Sequence, residues 1–224
     1  MASVISRLGG LCVILAAATI ARADVKTTIE RNQDSDATPA FKFKKVPSLE
    51  KDNAARKAKV TIVDGTNDDL GGGLEQVNDG RLPSQEDEPE LNFFFAQNTN
   101  GGRLVIDLGK AIEIKQVNTY SWHPNTRGPQ VYKLYASDGT AKDFNAEPKR
   151  RTDPTKAGWK LIATVDTRPK DREDMGGQYG VSVADSNGAA IGRYRYLLFD
   201  IFRTESDDAF GNTFYSEIAV VEKK

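Results

Sequence analysis

Arg103-Leu104-Val105-Ile106-Asp107-Leu108-Gly109 is the stretch on which the reading of the fold turns. Leu104, Ile106 and Leu108 alternate with their neighbours, the period-two pattern of a half-buried strand. Ile112 and Ile114 then share one face, and Val117 and Thr119 continue it with a one-residue shift. A shift of one residue moves side chains to the opposite face, so the phase change predicts a bulge or a bend.

The same alternation recurs on both sides of this stretch. Val60 and Ile62 precede it, and Tyr132, Leu134 and Ala136 follow it in VYKLYAS. Leu161, Ala163 and Val165 carry the pattern in WKLIATV, headed by Trp159. Residues 194–202 (YRYLLFDIF) are apolar on both faces, which predicts a central strand, and 214–221 (FYSEIAVV) reads as the last one. Asp64-Gly65, Asp79-Gly80, Gly101-Gly102, Asp138-Gly139 and Gly176-Gly177 punctuate the runs as turns. Short strands with such punctuation, and no sustained helical period, predict an all-β antiparallel sandwich over residues 59–224. Residues 140–158 form a long polar insertion.

The N-terminus reads differently. A single positive charge at Arg7 precedes the uncharged apolar run 8–20, and Ala21-Arg22-Ala23 supplies small residues for cleavage before Asp24. Residues 1–23 are therefore read as a secretory signal peptide, which predicts a secreted, extracytoplasmic protein. The run is too short for a stable membrane-spanning helix, so no membrane insertion is expected. Cys12 lies inside it, and Leu11 before it does not fit a lipoprotein signal. The mature chain is then expected to have neither disulfides nor a thiolate nucleophile. Residues 24–58 are polar with little periodicity and read as a linker or strap, with Ser48 able to cap a short helix through Ala54 and Ala55.

Charge narrows the function classes. The sequence holds 31 basic and 32 acidic side chains, a net charge of −1. That balance argues against nucleic acid, which calls for a basic stripe, and against a polybasic membrane patch. No nucleophile elbow, zinc-binding histidine pair or phosphate loop is present, and the expectation is a protein that is not an enzyme.

Four pieces, in order, resemble the discoidin family, also called the coagulation-factor type C domain. They are Val77-Asn78-Asp79-Gly80; Arg103 to Gly109 with Ile112-Glu113-Ile114; Arg127-Gly128-Pro129-Gln130-Val131-Tyr132-Lys133-Leu134-Tyr135-Ala136-Ser137-Asp138-Gly139 with Trp159 downstream; and Phe214-Tyr215-Ser216-Glu217-Ile218-Ala219-Val220. The resemblance implies a galactose-binding-like jelly-roll sandwich, related to sialidase-associated sugar-binding modules. The sequence departs from the family in two places. Phe93-Phe94-Phe95 stand where a tryptophan usually follows the Asp-Gly, and the 140–158 insertion widens a gap that is normally short.

The candidate ligand site lies in Tyr120 to Gly128. A sugar needs a flat apolar surface for its C–H face and directional donors and acceptors for its hydroxyls. Trp122, His123 (the only histidine), Asn125 and Arg127 supply those types in one loop, and the resemblance favours such loop residues. Phe210 and Asn212, before the last strand, add a ring and a polar contact. The structural alternative places Trp122 in the core, His123 at a turn and Arg127 in a salt bridge. The resemblance also implies a structural Ca²⁺ held by Asp79 and Glu217, with the carbonyls of Arg81 and Ser216. The alternative there is a simple turn at Asp79 and an ion pair at Glu217. The expected function is a secreted non-catalytic binding module for carbohydrate of galactose type, its partner a glycan or other cell-surface ligand. The alternative is an adhesion or scaffold protein that binds another protein; a glycan-acting hydrolase ranks behind both.

Overall fold

A computed structural model of the chain describes residues 23–171, 174–207 and 209–224. The expected signal peptide, with Cys12, lies outside the described residues but for Ala23. The fold is all-β and antiparallel. Its strands are β1 (Val25–Asn32), β2 (Lys59–Asp64), β3 (Gly102–His123), β4 (Val131–Ser137), β5 (Lys160–Asp166), β6 (Gly177–Asp185), β7 (Gly192–Phe202) and β8 (Tyr215–Glu222). The other regular elements among the described residues are single 3-10 turns. None of these helices is long and apolar enough to cross a membrane.

Strand β3 organises the molecule. Its first part, Gly102–Asp107, pairs with β7, and β2 lies on its other side. Its last part, from Gln116 on, pairs with β6 and β8. The registers break between Asp107 and Ile112 and between Ile114 and Gln116, where the sequence changes phase. The bend lets one strand belong to two layers, β2-β3-β7-β4-β5 and β1-β6-β3-β8. Leu104, Ile106, Ile114 and Val117 stay core-facing through it and meet Leu134, Phe199, Val181 and Ile218 between the layers.

Strand β7 is central, flanked by β3 and β4, and Leu197, Leu198 and Phe199 are buried on successive positions. Its outer face is covered by the 140–158 insertion, where Phe144 packs on Trp159 and Tyr196. Buried Arg103 ties the insertion down. Its Nη1 donates to the carbonyls of Pro148, Lys149 and Thr152, and its Nη2 pairs with Asp200 at 3.0 Å.

The 24–58 stretch does more than strap the domain. Residues 25–32 pair with β6 along their whole length. Phe41, Val46, Tyr120, Trp122 and Ala219 then form a separate apolar cluster. The strand escapes sequence reading because an edge strand buries one side only partly, so its alternation is weak. The short helix beyond it is Ala54–Lys57, capped by Asn53 and not by Ser48. Asn53 accepts from the Ala55 amide, whereas the Ser48 hydroxyl reaches back to the Phe41 carbonyl.

Candidate functional site

Three loops meet at one end of the sandwich: 124–130 between β3 and β4, 203–207 with 209–214 between β7 and β8, and 93–99 ahead of β3. Backbone bonds join them. The Phe214 amide donates to the Arg127 carbonyl at 3.1 Å, and the Asn98 amide to the Ala209 carbonyl at 2.8 Å. Thr204 donates its hydroxyl to the carbonyls of Thr126 and Gly211, and Thr213 to that of Pro129. Gly128 makes the turn possible, since a Cβ there would press on the Tyr179 ring and on two carbonyls.

Arg127 stands among the rings of this end. Its guanidinium carbon lies 4.8 Å from the centre of Phe214, 5.0 Å from Phe210 and 5.9 Å from Phe94. Phe94 stacks on Phe214 at 4.1 Å, and His123 meets Phe214 edge-on at 4.7 Å. Phe210 is 42% exposed. The result is a solvent-facing ring backed by a cation, over a rigid aromatic floor. Stacking uses the faces of a guanidinium, whereas its hydrogen bonds run in its plane. Such an arrangement can hold a partly apolar, hydroxyl-bearing ligand.

The candidate residues are not all brought together. Arg127 and Phe210 meet, and Asn125 is exposed on the same loop as Arg127. The expectation of Trp122 as a flat sugar platform is corrected: it is 6% exposed and packs edge-to-face on Phe41 at 5.7 Å. Alternation decides this, because Trp122 and His123 point to opposite faces of β3 and the Trp122 face is covered by the N-terminal stretch. It offers no flat surface to a ligand. His123 is buried as well, its Nδ1 accepting from the Asn125 amide at 3.0 Å and its Nε2 lying 3.9 Å from Asp87. Asn212 is buried and donates to the Ala96 carbonyl, so it braces the loops from beneath.

Sequence reasoning missed Phe94, Phe214 and Asp87. A signal for Phe94 existed in Phe93-Phe94-Phe95. Phe93 and Phe95 enter the main core, so period two turns Phe94 the other way, onto Phe214. Asp87, in an acidic run, carries no local mark that sets it beside His123.

The residues at the expected calcium position do not fit a cation. Glu217 is buried, and both its oxygens accept N–H groups, from Asn53 Nδ2 and from the Gly80 amide, each at 2.9 Å. Burial, with Asp79 nearby, pushes its carboxyl up to about 8 against the pull of these donors and of Arg56. Asp79 Oδ1 accepts the Arg81 amide, and its carbonyl accepts Arg56 Nη2 at 3.0 Å. The Arg56 guanidinium lies so close to Gly80 that a Cβ there would come within 2.6 Å of its central carbon. Ca²⁺ wants converging oxygen lone pairs; here donors and a guanidinium converge instead. Among the described residues, no three His, Cys, Asp or Glu are grouped to hold a metal ion.

Fold and loop cluster define an antiparallel β-sandwich with an aromatic and cationic end. No protein-family model matches the chain, and no curated protein is detectably similar in sequence. Several solved structures resemble it. One is the CpGH89CBM32-4 module produced by Clostridium perfringens, at 12% identity and TM-score 0.43 over 76% of this chain and 98% of that one. Another is the lectin domain of lectinolysin, complexed with Lewis B antigen, at 12% identity and TM-score 0.47 over 79% of this chain and 100% of that one. A third is chitosan-binding module 1 of a chitosanase/glucanase from Paenibacillus sp. IK-5, at 14% identity and TM-score 0.47 over 75% and 98%. At this distance the likeness carries no information about a ligand.

Proposed function

We propose that the chain is an exported, non-catalytic module that binds a neutral glycan of galactose type at the Arg127–Phe210 end. The observation that carries this reading is the exposed Phe210 ring with the Arg127 guanidinium 5.0 Å from its centre. The ring takes the C–H face of a sugar, and the guanidinium and Asn125 engage its hydroxyls. The sole histidine supports binding over hydrolysis, since buried His123 has its Nδ1 engaged with a backbone amide. A shallow site of this kind corresponds to affinities of roughly millimolar to micromolar.

Calorimetry with D-galactose and a glycan array test the reading. Binding that is lost in both Arg127→Ala and Phe210→Ala is the expected result. Unchanged binding in both variants would remove this site.

One observation favours a second reading, a protein partner. Leu70 is 71% exposed on a turn whose Asp68 accepts the Leu70 and Gln97 amides. That turn sits against Phe94, so two exposed apolar side chains, Leu70 and Phe210, belong to the same end. Pulldown of one stable protein partner, lost in Leu70→Asp and accompanied by no glycan signal, would favour this reading over the first.

A further inference from the structure

A second cleft, of about 430 Å³, opens beside the site, between Ala37 and Pro39 on one side and Ser84, Glu86 and Asp87 on the other, with Trp122 completing its lining. Its walls are built and held. Buried Gln178 donates to the Thr38 carbonyl at 2.8 Å and fixes the first wall. In the second, Glu88 accepts the Ser84 amide and hydroxyl and the Gln85 amide, and Leu82 packs into the cluster beneath. Glu88 is thereby turned inward, and Glu86 and Asp87 stay exposed at the rim.

The indole N–H of Trp122 is buried and has no hydrogen-bond partner among the described residues. Burial raises the Asp34 carboxyl above its ordinary range and the nearby indole only partly opposes this, without closing a hydrogen bond of normal geometry. A buried donor without an acceptor is destabilising, and a ligand oxygen would relieve it. Asp87 links this cleft to the first site, its carboxylate standing 3.9 Å from His123 Nε2, while His123 packs on the Phe214 ring under Arg127.

We infer that this cleft is a second subsite, which takes a further neutral, hydroxyl-bearing sugar residue of the glycan bound at Arg127 and rejects carboxylated or sulfated ones. The inference rests on the glycan reading given above. A hydroxyl both accepts from the Trp122 indole and donates to the Glu86 and Asp87 carboxylates. An anionic group meets those two carboxylates and Asp34 with repulsion.

The test uses the ¹⁵N-labelled full chain titrated with D-galactose, the neutral tetrasaccharide lacto-N-neotetraose and its sialylated form. The sequence has two tryptophans, so two indole N–H signals are followed. Trp159 donates to the Asn145 carbonyl at 2.8 Å and serves as an internal control. The Trp122 signal is expected to move with the tetrasaccharide, and neither signal with galactose. Trp122→Phe keeps an aromatic core side chain and removes the donor. It should weaken tetrasaccharide binding about fivefold, the equivalent of one ordinary hydrogen bond, and leave galactose binding as it was. Asp87→Asn should narrow the gap between the neutral and sialylated sugars.

A Trp122 signal that stays still at saturating tetrasaccharide would overturn the second subsite while Arg127→Ala still abolishes binding. Equal affinity for the sialylated sugar would overturn its selectivity. If Arg127→Ala binds galactose normally and the Trp122 signal still moves, the first site falls and the cleft stands. Failure of all three sugars to bind overturns both.

Discussion

Asn53 Nδ2 donates to Glu217 Oε1 at 2.9 Å, joining the N-terminal stretch to the last strand. The Oδ1 of the same Asn53 accepts the amides of Ala55 and Val220, so one side chain closes three buried bonds. Asn53→Ala is expected to leave Glu217 Oε1 and the Val220 amide without these partners, at about 1–3 kcal/mol for each group left unsatisfied. A thermal melt should show a clear fall in Tm. Because donors take the place of a cation, millimolar Ca²⁺ or EDTA should leave the wild-type Tm unchanged. A rise in Tm with Ca²⁺ would contradict this account.

Glu217 also sets a pH dependence. Its folded-state carboxyl is raised to about 8 from an ordinary value of 4.5, chiefly by burial. Between those values the folded chain holds a proton that the unfolded chain has released. Stability from this group is then greatest near and below pH 4.5 and declines as pH rises toward 8. Glu217→Gln should flatten the Tm profile over pH 5 to 8, and an unchanged slope in that variant would rule the group out as its cause.

Phe210 and Phe214 flank Arg127 but differ in burial, and their truncations should separate binding from folding. Phe210→Ala removes a largely exposed ring and should change stability by no more than about 0.5 kcal/mol while weakening glycan binding. Phe214 is fully buried, and its replacement by Ala should destabilise by about 3–5 kcal/mol. Urea unfolding and calorimetry on the two variants give both quantities.

Arg103 anchors the insertion over β7. Among the described residues, Arg103→Ala leaves Asp200 with the longer ion pair to Arg150, at 3.4 Å, and takes a donor from three carbonyls, of which that of Lys149 keeps the Thr152 amide. Breaking a buried pair from one side typically destabilises by about 3–5 kcal/mol. Limited proteolysis should then cut within 140–152 well before the wild type is cut, with cleavage sites read by mass spectrometry.

Much of this protein is legible along the chain. Alternation in 103–119 fixes β3 and its bend, because side-chain direction in a strand has a period of two residues and depends only on neighbours. The double-faced apolar run 194–202 marks the central strand for the same reason, since a strand covered on both sides needs apolar residues at successive positions. What covers what is not local. Trp122 carries the residue type of a ligand platform, and only the arrival of Phe41 from another part of the chain buries it. Glu217 has the position of a metal ligand, and Asn53, 164 residues away in sequence, and the Gly80 amide claim its two oxygens. The pairing of Arg127 with Phe210 depends on two loops meeting at one end, a consequence of strand order. The sequence by itself settles strand periodicity and charge balance. The tertiary structure decides exposure and partnership, because both depend on contacts between residues far apart in the chain.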